Sequence, residues 1–195
     1  PADNAGGGAP SDNTTILRQL IASGAKDAAL GPLWDPIAVR LCFDAGAGAH
    51  FPLRFGGKTS PASGMPVDAL VEVTALARDC WQSFGPTQAP LGDCAAVRIG
   101  DQGGKNGVEV VLITKRTQAL GLELFSNLGI DPRARRILVV KSTNHFMAAF
   151  GPIAKKVIYV ESDGPLARQY HKLAYTKVRR PIWPLDAETA PGLIF

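Results

Sequence analysis

The chain has 195 residues and a mass of 20.6 kDa, with 46% hydrophobic and 19% charged residues. That length suits one domain, and the composition excludes intrinsic disorder. No apolar run approaches the ~18 residues of a membrane span, which excludes a transmembrane helix.

The net charge of +4 is uneven, with 7 Lys/Arg against 9 Asp/Glu in residues 1–100 and 14 against 8 in residues 101–195. Such a basic half is commonly a solvated face. Aromatics are interleaved with it only toward the C-terminus, which disfavours nucleic-acid binding. The 21 glycines and 15 prolines imply many turns between short elements.

Pro1 to Pro10, with three consecutive glycines, cannot be a regular element. Residues 12–23 carry Ile16, Leu17, Leu20 and Ile21 at helical spacing, with Ser11 or Asp12 as cap and Gly24 as stop. The apolar run 28–34 suits a buried strand. Asp35-Pro36 opens a second helix over 36–45, with the proline at its first position. From His50 to about Gly107 the pattern alternates as antiparallel β, with 101–107 as a long hairpin loop. The α/β rhythm then returns. A short helix is expected over 122–128, a strand at 137–140, a helix over 144–154 and a buried strand at 157–160. The tail is proline-rich and extended. The composite is an α/β fold, a mixed β-sheet with flanking helices and an antiparallel β-rich middle section.

Three features could carry chemistry. The first is Asp3-Asn4-x-Gly6-Gly7-Gly8-x-x-x-Asp12, running into a helix. Glycines before a helix N-terminus can aim free N–H groups at an anionic or carbonyl oxygen, and Asp3 and Asp12 add carboxylates suited to proton transfer. The plainer alternative is a turn in which Asp12 caps its own helix. The second is Gly56-Gly57-Lys58-Thr59, which imitates the end of a nucleotide-binding loop. Pro52 stands where the first glycine should be, and Ser60-Pro61 blocks the helix, so a hairpin or ligand-facing loop is expected. The third is Lys141-Ser142-Thr143-Asn144-His145, at the carboxyl end of a strand, where α/β sheets bind ligands. There Lys141 could hold an anion and His145 could donate to a substrate, or residues 142–144 could simply cap a helix.

Cys42, Cys80 and Cys94 are odd in number and form no C-x-x-C pair. That argues against a disulfide framework or structural zinc and for a reducing, cytoplasmic compartment. His50, His145 and His171 are too scattered for a metal site of this chain's own. Pro1 in place of Met suggests a fragment, a processed product or a domain of something longer.

Six segments in order resemble the C-terminal region of the MlrC-like metallopeptidases. They are the Asp3–Asp12 motif, Leu33-Trp34-Asp35-Pro36, Gly56-Gly57-Lys58-Thr59, Leu128-Gly129-Ile130-Asp131-Pro132, Lys141-Ser142-x-x-His145-Phe146, and Arg179-Arg180-Pro181-Ile182-Trp183-Pro184-Leu185-Asp186. The departures are Ala5 for a usual Pro, Met147 for a common Arg, and Gly121-Leu122 for Asp-Pro. The resemblance implies a C-terminal domain over 1–186 with an extended tail at 187–195. It also implies zinc held mainly by an N-terminal metal-binding domain, and a peptide or amide substrate. Asp3 and Asp12 would then be catalytic, with Asn4, Gly6, Gly7, Gly8, Lys141 and His145 binding substrate. The isolated chain would bind zinc weakly and hydrolyse nothing. The alternative is a non-catalytic anion- or ligand-binding module.

Overall fold

A computed structural model describes residues 3–100, 107–162, 164–166, 174–183, 185 and 186. The expected 101–107 loop, except Gly107, His171 and the 187–195 tail lie outside them. Six strands form one mixed sheet in the order β2-β3-β4-β5-β1-β6. They are β1 (Ala28–Trp34), β2 (His50–Phe55), β3 (Val67–Phe84), β4 (Thr87–Gly100), β5 (Gly107–Ile113) and β6 (Ile137–Val140). β5, β1 and β6 run parallel, while β2 to β5 pair antiparallel. The expected α/β fold with an antiparallel section is therefore what forms.

The helices divide between the two faces of the sheet. α1 (Thr15–Ala22) and α2 (Pro36–Ala45) cover one face, where Leu17, Val39 and Cys42 meet Leu30, Leu33, Val108, Val110 and Leu112. α3 (Glu123–Ser126) and α4 (Met147–Phe150) cover the other, where Phe125 and Phe150 meet Ala29, Val111 and Ile113. β5 is buried along its whole length because alternate residues feed the two cores. Among the described residues no helix is long and apolar enough to cross a membrane.

Three sequence expectations need correction. The first helix starts at Thr15, not residue 12, because Asn13 Oδ1 accepts from Thr15 N at 2.9 Å while Asp12 is engaged elsewhere. The helix expected over 144–154 is a single turn, Met147–Phe150, followed by a 3-10 turn at Gly151–Ile153. Pro152 has no N–H to continue the ladder. Residues 157–160 are not a buried strand. They are exposed, lie outside the sheet and form no regular element.

The Asp3 to Ser63 loop cluster, a candidate functional site

Trp34, Ile113 and Val140 end the three parallel strands, and residues 3–14 lie across these carboxyl ends. Trp34 N donates to Ser11 O at 3.0 Å, and Lys141 Nζ donates to Asn13 O at 3.3 Å. Asp3 is the anchor of this crossing. Its Oδ1 accepts from Ser11 N and its Oδ2 from Asn13 N, both at 2.7 Å, and Lys141 Nζ stands 2.6 Å from Oδ2. Both side chains are buried. Burial pushes the Lys141 pKa down, and the attraction of Asp3 and Asp12 only partly offsets it. The cavity beside Asp3 and Lys141 is about 20 Å³, room for one water and not for a substrate.

Asp12 is held by a different loop. Its Oδ2 accepts from Lys58 N and Thr59 N at 2.9 Å and from Thr59 Oγ1 at 2.8 Å. Burial raises its pKa, but these bonds and the nearby Ser63 hydroxyl outweigh that and leave it below the usual carboxylate value. Its Oδ1 and the Ser11 Oγ are buried without hydrogen-bond partners among the described residues.

Gly56-Gly57-Lys58-Thr59 therefore does cradle an anion, and the anion is the protein's own carboxylate. The loop takes Asp35 as well. Asp35 Oδ1 caps α2 by accepting from Ala38 N, while its Oδ2 accepts from Gly56 N at 2.9 Å and Lys58 Nζ at 2.7 Å. Glycine is required at 57, where φ is +60° and a Cβ would lie 2.7 Å from the Met65–Pro66 backbone.

The triple glycine forms a 3-10 turn, Ala5–Gly7, that consumes its own amides. Gly6 N donates to Asn4 Oδ1, Gly7 N to Asn4 O and Gly8 N to Ala5 O. The free, converging N–H groups expected from the glycines are absent from this turn. Nor does the turn open a helix, since α1 begins seven residues after Gly8. What the turn does is pack closely. A Cβ at Gly6 would lie 2.5 Å from Gln118 Nε2, and one at Gly7 would lie 2.5 Å from Leu166 Cδ1.

That contact leads to a part-buried polar group of the cluster, which reaches solvent at His145. Asn4 Nδ2 donates to Thr143 Oγ1 at 2.9 Å, and Ser142 Oγ donates to Gln118 Oε1 at 2.9 Å. Gln118 Nε2 then lies 2.9 Å from His145 Nδ1. In this arrangement Nδ1 accepts, so a neutral His145 carries its proton on Nε2. The ring is exposed and stacks edge-on against Phe84 at 5.3 Å.

The structure thus gathers Asp3 with Lys141, and Asn4 and Gly6 with the Gln118–His145 pair. Asp12 belongs to the neighbouring loop, while Lys141 is buried under Asp3 and does not face solvent. Sequence reasoning missed Gln118, whose position just beyond the carboxyl end of buried β5 was the available signal. Among the described residues no three His, Cys, Asp or Glu side chains are grouped to hold a metal, and Asp3, Asp12 and Asp35 are already engaged. A zinc first shell does not fit these residues.

The chain matches the family described as MlrC C-terminus over residues 1–177. It is 36% identical over 186 residues to "Microcystinase C" from Sphingomonas sp, covering 95% of this chain and 34% of that protein. It also resembles a crystal structure titled "Putative metallopeptidase" from Mesorhizobium sp. BNC1, with a TM-score of 0.77 and 26% identity. That likeness covers 97% of this chain and 37% of the other, so the chain spans about a third of the length of both relatives. By its sequence match, its motifs and its fold, the chain belongs to the MlrC C-terminus family.

Proposed function

We propose that this chain is the C-terminal part of a zinc-dependent peptidase or amidohydrolase, packed against a preceding metal-binding domain and lining a shared cleft. The observation that carries this reading is the 36% identity to Microcystinase C over 95% of the chain. Zinc belongs to the preceding domain in this reading, because the described residues here offer no first shell. A cytoplasmic setting fits the three free, buried cysteines.

The residues of this chain position and bind. Asp3 fixes the entry loop on Lys141, and Asp12 fixes the 56–59 loop, so both carboxylates act through the loops they hold. His145 is the group that meets substrate. With Nδ1 engaged by Gln118, its Nε2–H is a donor for the carbonyl oxygen of a peptide or amide. Asn4 and the glycine turn hold the backbone around it, with Asn4 tied to Thr143.

The test is to assay the full-length parent on a panel of peptides and amides, with the 195-residue chain in parallel. Hydrolysis by the parent, lost on chelation and restored by zinc, is expected, with none by the chain alone. A zinc-replete parent that cleaves no member of the panel would sink the reading.

A further inference from the structure

Val157, Ile158, Tyr159 and Val160 are four consecutive β-favouring apolar residues, a pattern that belongs inside a sheet. They are instead 37%, 69%, 60% and 50% exposed. Their backbone makes no hydrogen bond to another described residue. Tyr159 rests edge-on against Phe146, with centroids 5.9 Å apart, and the other three project outward or along the surface. An exposed apolar segment of β-favouring residues with unpaired backbone groups can pair with another chain. A local pattern that contradicts its surroundings in this way marks a place where function sets the sequence.

The position of the segment says what covers it. Ser162, two residues beyond Val160, lines the same small cavity as Asp3 and Lys141. Asp3, the first described residue, therefore lies close to the end of this segment. The relatives extend well past the matched region, since the chain covers 34% and 37% of their lengths.

We infer that residues 155–160 are the docking strand for the metal-binding domain that precedes this chain in its parent. The inference rests on the two-part enzyme proposed above. A domain tethered at residue 3 faces the segment at an effective concentration on the order of millimolar, which a second copy in dilute solution does not match. Lys155 and Lys156 border the apolar run, so the partner surface is an apolar groove or strand edge with an acidic rim.

Hydrogen–deuterium exchange tests this on the isolated chain and on the full-length parent. Amides of 157–160 exchange freely in the isolated, monomeric chain and slow by at least about tenfold in the parent. Ile158→Asp in the parent restores fast exchange there while β4 and β5 amides stay protected, which shows that the domain itself remains folded. Equal, fast exchange in both proteins would overturn the inference. So would an isolated chain that sediments as a dimer with 157–160 protected, because the segment would then belong to a second copy. The readout is independent of turnover. An inactive parent with a protected strand removes the hydrolase reading alone, and an active parent with an unprotected strand removes the docking strand alone.

Discussion

Asp3 and Lys141 are 2.6 Å apart although 138 positions separate them, and both are buried. This ion pair ties the entry of the chain to the end of β6. Desolvating two charges is costly, and it is the two backbone amides on Asp3 and the Asn13 carbonyl on Lys141 that make the pair tenable. Removing either partner leaves the other charge buried. Asp3→Ala and Lys141→Ala should each cost about 3–5 kcal/mol in urea denaturation. The double variant should lose far less than the sum. Strict additivity would mean that the two groups do not act as a pair.

Much of this architecture is legible in the sequence. Ile137-Leu138-Val139-Val140 and the Asp35-Pro36 start announce β6 and α2, because a short apolar run reads as a strand, here the half-buried edge of the sheet, and proline at a first helical turn has one reading. The hairpin of β3 and β4 is less legible as two strands of 18 and 14 residues. Its pattern is broken where the ladder shifts register, near Asp79 and Gly92, both at positive φ. Gln82, wholly buried, looks like a surface residue until its Oε1 is seen to accept from Leu120 N and Gly121 N. At the candidate site the residues could be named but their partners could not. Local spacing offers no hint that the 56–59 loop closes on Asp12, or that the glycine amides satisfy themselves.

Glu109 presents a further buried carboxylate, on β5, between Arg98 at 3.1 Å and Arg135 at 2.6 Å. Arg98 also reaches Glu72 and Arg135 reaches Asp27, which links β3, β4, β5 and the approach to β6. Glu109→Ala removes the carboxylate shared by two largely buried arginines, leaving Arg98 with Glu72 alone and Arg135 with Asp27 alone. A loss of about 3 kcal/mol in unfolding free energy is expected. A variant as stable as wild type would show that the network is solvated.

The three cysteines should be silent. All are buried and free. Burial and the nearby Asp35 carboxylate push the Cys42 thiol up to about 11, and burial raises Cys80 and Cys94 as well. Near pH 8 the native chain should take up no thiol-specific reagent, whereas the unfolded chain should titrate all three. Rapid labelling of the native protein would place a thiolate at the surface.

Glycine substitutions separate the two loops. Gly57→Ala combines a φ of +60° with a 2.7 Å approach to rigid backbone, so it should cost more than the roughly 1–2 kcal/mol of the left-handed conformation alone. Gly6→Ala meets only the flexible end of Gln118 and should change stability little. It should instead detach Gln118 from His145, shifting the His145 ring resonances and its tautomer balance in NMR spectra. An unchanged His145 spectrum would disconnect the glycine turn from the exposed imidazole.

Asp12 gives the pH test, and the sign can be worked out. Its folded pKa lies below the ordinary carboxylate value, because the Thr59 and Ser63 hydroxyls and the Lys58 and Thr59 amides together outweigh desolvation. A group depressed on folding stabilises fully above its unfolded pKa, and that stabilisation fades as pH falls through the lower, folded value. Asp12→Asn keeps one acceptor oxygen but puts an amide nitrogen at a buried position, Oδ1 or Oδ2. At Oδ1 it gains no hydrogen-bond partner already in place among the described residues, and at Oδ2 it faces three donors. A loss of about 1–3 kcal/mol near pH 6 is therefore expected, where a helix cap exchanged for asparagine would be almost silent. Measured against wild type by urea denaturation, that gap should narrow steadily from about pH 5 to about pH 2, as the wild-type carboxylate takes up its proton. A gap that stays constant over the same range would show that the charge of Asp12 does not hold the 56–59 loop.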